Sequence, residues 1–323
     1  MDRKILYDDM NSEELSRWSD DPLVNVRSRP RMSIFIDVRL NDIFMKANPT
    51  YLADIAKQAP NDAVRRAWVD GDWSVVAGGM FDDVWDRRYH VVEPFPIPAG
   101  WKIDRSMDWG SSTPFCVLWY AESNGSDYVD AEGNWRSSVA GDIFVIREWY
   151  GTNGQINQGL KLTAVEVAKG ILENEIEWGI YDRVVPGPAD TQIFTEIQRG
   201  QNISTDMLRP IRLDDGRELP GVRWSRADKN SGGGTRKTGW NMIRDRLKRC
   251  VPDKEKPQLR ELPGLFFFNT LKHTLQHFPV TPRDEKDTDD IPKRGEYHIQ
   301  DTLRYRILAD GRDARVGSTT GLY

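Results

Sequence analysis

Three strand-like stretches between Trp101 and Gly151 decide most of what this chain can become. IDRSMDWG, TPFCVLWYAE and DIFVIREWYG are each of strand length, and turn-forming stretches such as SNGSDYVDAEGNW part them. A helical pattern follows in LKLTAVEVAKGILEN, with Leu160, Ala164, Val167, Ala168, Ile171 and Leu172 on one side. WGIYDRVVPGPAD then reads as a strand running into a Pro/Gly loop, TQIFTEIQRG as a short helix and GVRWSRAD as another strand. A Gly-rich loop, NSGGGTRKTG, leads into a basic helix, WNMIRDRLKRC. LPGLFFF, a helix-like NTLKHTLQHF, a polar loop and a last helix, EYHIQDTLRYRILAD, complete this part. Three early strands, then helices alternating with strands, predict an α/β domain whose mixed central sheet is flanked by helices.

The segment ahead of Trp101 has a different texture. Residues 1–33 are polar and without a clear period, SIFIDVRL could form a strand, and 49–69 fit two short helices broken at Pro60. The longest apolar run toward the end, LFFF, is far short of the roughly 20 residues needed to span a bilayer. MDRKILYDDM carries no apolar run, so no signal peptide is expected. Cys116 and Cys250 have no metal-binding spacing and suggest a reducing, intracellular setting. The net charge of −5 argues weakly against nucleic-acid binding, yet Arg223 to Arg249 holds nine Lys/Arg and only two acids. Such a stretch suits a local phosphate-binding surface and a solvated helix face equally.

Three acids occupy positions from which a strand or helix could aim them at one point. Asp108 ends the first strand in MDWG, Asp190 follows a later strand in GPAD, and Asp301 lies in the last helix in HIQDTLRY. Converging carboxylates repel one another unless a cation compensates, and hard divalent cations take oxygen ligands. By spacing alone the choice is weak, since the chain has 50 acids and a strand-end or turn role suits each one singly. His273 and His277 have a shared-metal spacing but lack the Glu of HExxH, so they read as surface or capping residues. Trp109, beside Asp108, is the one tryptophan left open as more than a packing residue.

MDWG after a Trp-led strand, GPAD after a later one and EYHIQDTLRY near the C-terminus resemble the nuclease domain of phage terminase large subunits, the DNA-packaging motors. Upstream, FIDVRLNDIF, TYLADI, RRAWVDGDW and GGMF resemble the stretch leaving the ATPase domain of those proteins, and the likeness runs from about Ser33 to Arg306. The resemblance implies a ribonuclease-H-like nuclease domain over 71–323, preceded by a lead-in over 1–70. It implies an endonuclease cutting concatemeric double-stranded viral DNA with two Mg²⁺ or Mn²⁺ ions. Asp108, Asp190 and Asp301 would hold the metals, with His298 and Asp289 as auxiliary candidates and Asp290 beside them. Lys229, Arg236, Lys237 and Arg244, on the Gly-rich loop and basic helix, would contact DNA phosphates. An ATPase domain or subunit, the portal protein and the small terminase subunit are the implied partners. The implied setting is the host cytoplasm and, transiently, the procapsid portal. Walker A is absent, because GTRKTG is followed by Trp240 and Asn241, so ATP hydrolysis is not expected of this chain. A junction resolvase or transposase type of ribonuclease-H-like nuclease, and a non-catalytic module docking DNA or the portal, are compatible with the same residues.

Overall fold

The computed structural model describes residues 39, 41–58, 69, 78–155, 157–196, 200–228, 235–252 and 260–319. The chain divides into two compact units, Met1–Trp73 and Ser74–Tyr323. In the first, α1 (Asp42–Ala47) starts at Asn41, whose side chain accepts from the Phe44 N–H at 3.0 Å. Helix α2 (Tyr51–Gln58) follows, and its Tyr51 meets Phe44 edge-on. The strand expected over SIFIDVRL and the helix expected beyond Pro60 fall outside the described residues, save for Arg39 and Val69.

The second unit runs through α3 (Arg87–His90), β1 (Val91–Val92), β2 (Lys102–Asp108), β3 (Cys116–Glu122), β4 (Tyr128–Val129), β5 (Trp135–Arg136) and β6 (Ile143–Tyr150). It continues with α4 (Ala164–Glu177), β7 (Val184–Val185), β8 (Pro188–Ala189), α5 (Ile203–Met207), β9 (Ile211–Arg212), β10 (Glu218–Leu219) and β11 (Ser225–Arg226). Helix α6 (Thr235–Cys250), β12 (Leu265–Phe268), α7 (Lys272–His277) and α8 (His298–Thr319) complete it. Among the described residues eight strands form one sheet in the order β1–β12–β6–β3–β2–β8–β11, with β7 also on β2. Strands β2, β3 and β6 form an antiparallel meander. Then β8 runs parallel to β2 and β11 to β8, while β12 runs parallel to β6 and β1 to β12. This is the mixed central sheet that the sequence predicted. No helix among the described residues is long and apolar enough to cross a membrane.

Helices cover both faces of the sheet, which is why CVLWYA reads as an unbroken apolar run: Cys116 to Ala121 are all buried. Strand alternation separates the two faces on β2. Arg105 turns toward α4, where Glu175 accepts from Arg105 Nη1 at 2.9 Å and from Trp119 Nε1 at 2.8 Å. Asp104, Ser106 and Asp108 turn toward α8 and bond in turn to Arg306, to the Thr302 carbonyl and to His298. Two residues of strand advance roughly 6.6 Å and four residues of helix roughly 6 Å. Steps of two on β2 therefore match steps of four on α8, run in the opposite direction. That register decides where His298 and Asp301 come to lie.

Helix α4 begins where a capping box dictates. The Glu166 N–H donates to Thr163 Oγ1 at 3.3 Å, and the Thr163 N–H donates to Glu166 Oε2 at 2.7 Å. The expected helical face beginning at Leu160 is thus corrected: Leu160 precedes the cap and is exposed. Glycine at 170 lets the helix sit on Trp149, whose ring would lie 2.2 Å from an added Cβ. Gly→Ala inside a helix ordinarily gains about 1 kcal/mol. Here Gly170→Ala is expected to lose roughly 1–3 kcal/mol through overpacking. A lowered midpoint in urea unfolding checks this, and a raised one contradicts it.

The single strand expected over WGIYDRVVPGPAD is also corrected. It is a 3₁₀ turn (Tyr181–Arg183) followed by two brief contacts with β2, through β7 and β8. Pro186 and Pro188 have no N–H to give a ladder, and Gly187 passes so close that a Cβ would lie 2.0 Å from the Arg105 carbonyl oxygen. TQIFTEIQRG contributes a 3₁₀ turn over Thr191–Phe194, and 197–199 lie outside the described residues.

Candidate active site

Asp108 closes β2 and Asp190 directly follows β8. The strands are parallel with Met107 opposite Ala189, and the Asp190 N–H donates to the Met107 carbonyl at 2.9 Å. Both side chains therefore leave the sheet at the same end, where strand ends in open α/β sheets commonly build sites. Asp190 Oδ1 also accepts from the Gln192 N–H at 2.8 Å and so caps the turn that follows. Asp301 stands in the first turn of α8, the helix already registered against β2.

Asp108 is held on both sides. Its Oδ2 lies 2.8 Å from His298 Nδ1, and its Oδ1 accepts from the Tyr305 hydroxyl at 3.2 Å. Burial is the main reason its carboxyl is pushed up to about 6, with His298 pulling the other way and the charges of Asp301 and Asp190 adding to the rise. Burial and the same three carboxylates push the Tyr305 phenol up, so it stays a donor. The His298 imidazole is raised by its bond to Asp108 and by that charge, against the cost of burial. Asp108, Asp190, Asp301, His298 and Tyr305 therefore share one electrostatic neighbourhood.

Around them lies a shell of polar contacts. His298 Nε2 is 3.3 Å from Asn157 Oδ1, and Asn157 takes a left-handed backbone conformation with φ 53°. The Asn157 N–H donates to Glu296 Oε2 at 3.2 Å, and Glu296 Oε1 accepts from the Tyr150 hydroxyl at 2.6 Å. The rings of His273 and His277 flank Tyr150 at 5.1 and 5.9 Å. Asp301 Oδ1 accepts from both Nε and Nη2 of Arg304, at 3.1 and 2.7 Å.

Carboxylate oxygens are the donor type that hard divalent cations such as Mg²⁺ and Mn²⁺ take. Burial chiefly raises the Asp108 carboxyl, and the charges of Asp301 and Asp190 add to the rise. The acids do not stand as a finished ligand shell, however. Among the described residues no group of three or more His, Cys, Asp or Glu could hold a metal ion as placed. His298 and Tyr305 hold both oxygens of Asp108, and Arg304 holds one oxygen of Asp301.

The other expected residues fall elsewhere. Asp289 is exposed in the loop before α8, and Asp290 is bonded to Arg236 at 2.9 Å and to Trp240 Nε1 at 2.8 Å. Lys229 lies outside the described residues. Lys237 pairs with Asp287 at 2.7 Å, and Arg244 bonds Asp83 and the Met80 carbonyl. Three of the four cations expected on DNA thus face acids of their own chain. Trp109 is partly buried against the core. Sequence reasoning missed Tyr305, although it stands four residues after Asp301 and seven after His298, on the same helix face. Nothing local could have pointed to Asn157.

No family model matches this sequence, and no curated protein does. Solved structures do. The nuclease domain of the P22 large terminase is 17% identical with a TM-score of 0.43, over 73% of this chain and 98% of that one. The large terminase from a thermophilic bacteriophage is 17% identical with a TM-score of 0.47, over 75% of this chain and 47% of that one. The same terminase in complex with ADP gives 18% and 0.47, over 74% and 46%. The chain therefore spans about half the length of that thermophilic phage protein.

Proposed function

We propose that this chain is a divalent-metal-dependent endonuclease of the phage large-terminase kind, cutting double-stranded viral DNA during genome packaging. One observation carries the reading: Asp108 and Asp190 leave neighbouring parallel strands at the same end, in the field of Asp301 from the helix packed on them. Asp108, Asp190 and Asp301 would hold Mg²⁺ or Mn²⁺, and an ion bound there would supply positive charge to polarise a phosphodiester and offset the charge developing on its oxygens.

The chain's own residues prepare that site. His298 and Tyr305 orient Asp108 through its two oxygens, the same oxygens that would be needed to hold a cation. Burial of the Asp108 carboxylate strengthens its pull on a cation, because little water screens it. Phosphate contacts by Arg236, Lys237 or Arg244 require each to exchange a carboxylate of this chain for a phosphate. An ATPase domain or subunit, the portal and the small terminase subunit are the proposed partners, with the host cytoplasm and the procapsid portal as the setting.

Plasmid cleavage tests the reading. Supercoiled DNA is expected to be nicked and linearised in Mn²⁺ or Mg²⁺ and untouched in EDTA. Asp190→Asn is expected to cut at least about 100-fold more slowly, since losing a ligand should cost no less than losing a group that only orients one. Equal cutting by Asp190→Asn overturns the site.

A further inference from the structure

We propose that a cavity on the α4 side of the sheet is a docking site for a protein segment carrying a carboxylate beside an apolar side chain, with Arg147 as its anchor. The cavity holds about 410 Å³ and is walled in part by Phe95, Ile97, Trp178 and Ile180. Among the described residues its charged wall residues are Arg147 and Arg183, with no Asp or Glu.

Strand β6 puts Arg147 there. It lies opposite Trp119 in the β3–β6 register, and Trp119 turns with Arg105 toward α4. The guanidinium lies 5.6 Å from the ring centre of Trp178, the C-cap of α4, and Trp178 meets Trp119 edge-on at 4.9 Å. Its one hydrogen bond among the described residues runs from Nη1 to the Ile146 carbonyl at 2.9 Å. Burial lowers the affinity of this guanidinium for its proton, and no carboxylate opposes that. The buried arginines among the described residues are each met by an acid: Arg105 by Glu175, Arg246 by Asp310, Arg304 by Asp301 and Arg306 by Asp104. A half-buried guanidinium with no acid of its own chain offers a forked donor to an incoming carboxylate.

The facing wall is formed in advance. Arg183 donates to the carbonyls of Ile97, Pro98 and Trp101 at 3.2, 2.7 and 3.3 Å, and Phe95 stacks on Tyr128 at 4.2 Å. Pro94, Pro96 and Pro98 fix three backbone angles of the same segment. Little therefore has to be ordered on binding. DNA suits the cavity poorly. A duplex carries one charge about every 1.7 Å and is held by many cations along its backbone. Here two arginines sit among apolar side chains, which favours an acid with an apolar neighbour. The site lies across the sheet from α8, where Asp108 bonds His298, so a partner could be held on one face while the other faces DNA.

The test is titration of the full chain with acetylated tripeptide amides in which Glu is flanked by Leu, Ile or Phe. The indole N–H resonance of Trp178, identified by Trp178→Phe, reports binding. At least one peptide is expected to shift it saturably, and its Gln counterpart to bind at least about 10-fold more weakly. Arg147→Gln is expected to weaken the Glu peptide by a similar factor. Arg147→Lys keeps the charge without the fork and is expected to fall between the two. Ile180→Glu puts an acid into the wall and is expected to abolish binding; with Arg147→Lys it carries the test should Arg147→Gln fail to fold. Equal binding of Glu and Gln peptides overturns the proposal, as does wild-type affinity in the Arg147 variants or in Ile180→Glu. So does the absence of a saturable shift with every peptide. A shift of the same resonance by inorganic phosphate or single-stranded DNA at lower concentration than any peptide also overturns it, and would make the cavity a phosphate site. Mn²⁺-dependent cleavage reads the aspartate site separately and is untouched by these outcomes.

Discussion

Asp108→Asn is expected to abolish Mn²⁺-dependent plasmid cleavage while leaving the metal-free protein at least as stable as the wild type at neutral pH. The two outcomes share a cause. The Asp108 carboxyl is buried, and its value of about 6 means that ionising it costs more in the folded chain than in the unfolded one. A carboxyl raised in this way destabilises the fold progressively as pH climbs from about 4 through 6. Asparagine has the same shape and carries no charge; its single amide oxygen can accept from the Tyr305 hydroxyl while its NH2 faces Nδ1 of a neutral His298. It cannot supply the charge that binds a divalent cation. Cleavage is expected to fall by at least about 1,000-fold, and added Mn²⁺ to raise the melting temperature of the wild type but not of the variant. A variant that melts well below the wild type without metal would mean that the carboxylate is structural.

Arg306→Met is expected to produce the largest loss of stability of any single change on α8. Arg306 is 1% exposed and holds Asp104 at 2.7 Å, Glu122 at 2.6 Å and, through a third contact, Asp310. Asp310 also bonds Arg246 of α6 at 2.8 Å. Removing the guanidinium leaves these carboxylates facing one another with one cation fewer. Losing one partner of a buried pair costs about 3–5 kcal/mol. The same residue sets the register of α8 on β2, so cleavage is expected to fall with folding. Urea unfolding checks the magnitude, and a loss below about 1 kcal/mol would show that the remaining cations or water compensate.

Much of the sheet was legible because its signals are local. β3 and β6 announce themselves as strand-length apolar runs, β2 by a strand-length stretch that ends in a turn, and α4 and α8 by helical spacing. Two-residue strands carry no such pattern: β8 exists because a Pro/Gly segment is drawn against β2, a tertiary event. The extension through β12 and β1 depends likewise on parallel pairing between residues more than 100 positions apart. The acids stood out by position, at strand ends and in a helix turn, and the structure brings Asp108, Asp190, Asp301 and His298 into one neighbourhood. What stayed hidden was how charges pair. Arg236, Lys237 and Arg244 look free in the sequence because Asp290, Asp287 and Asp83 lie 54, 50 and 161 residues away. A basic stretch shows how much charge is present, and the fold decides what that charge faces.

The central claim is that three aspartates from β2, the turn after β8 and α8 form one metal centre. Anomalous scattering from a crystal soaked in Mn²⁺ tests it most directly. The account predicts a peak within ligand distance of Asp108 and Asp190, with Asp301 turned toward the same centre and His298 moved off Asp108 Oδ2. Density showing Asp108 still capped by His298 and Tyr305, with manganese elsewhere or absent, would contradict it.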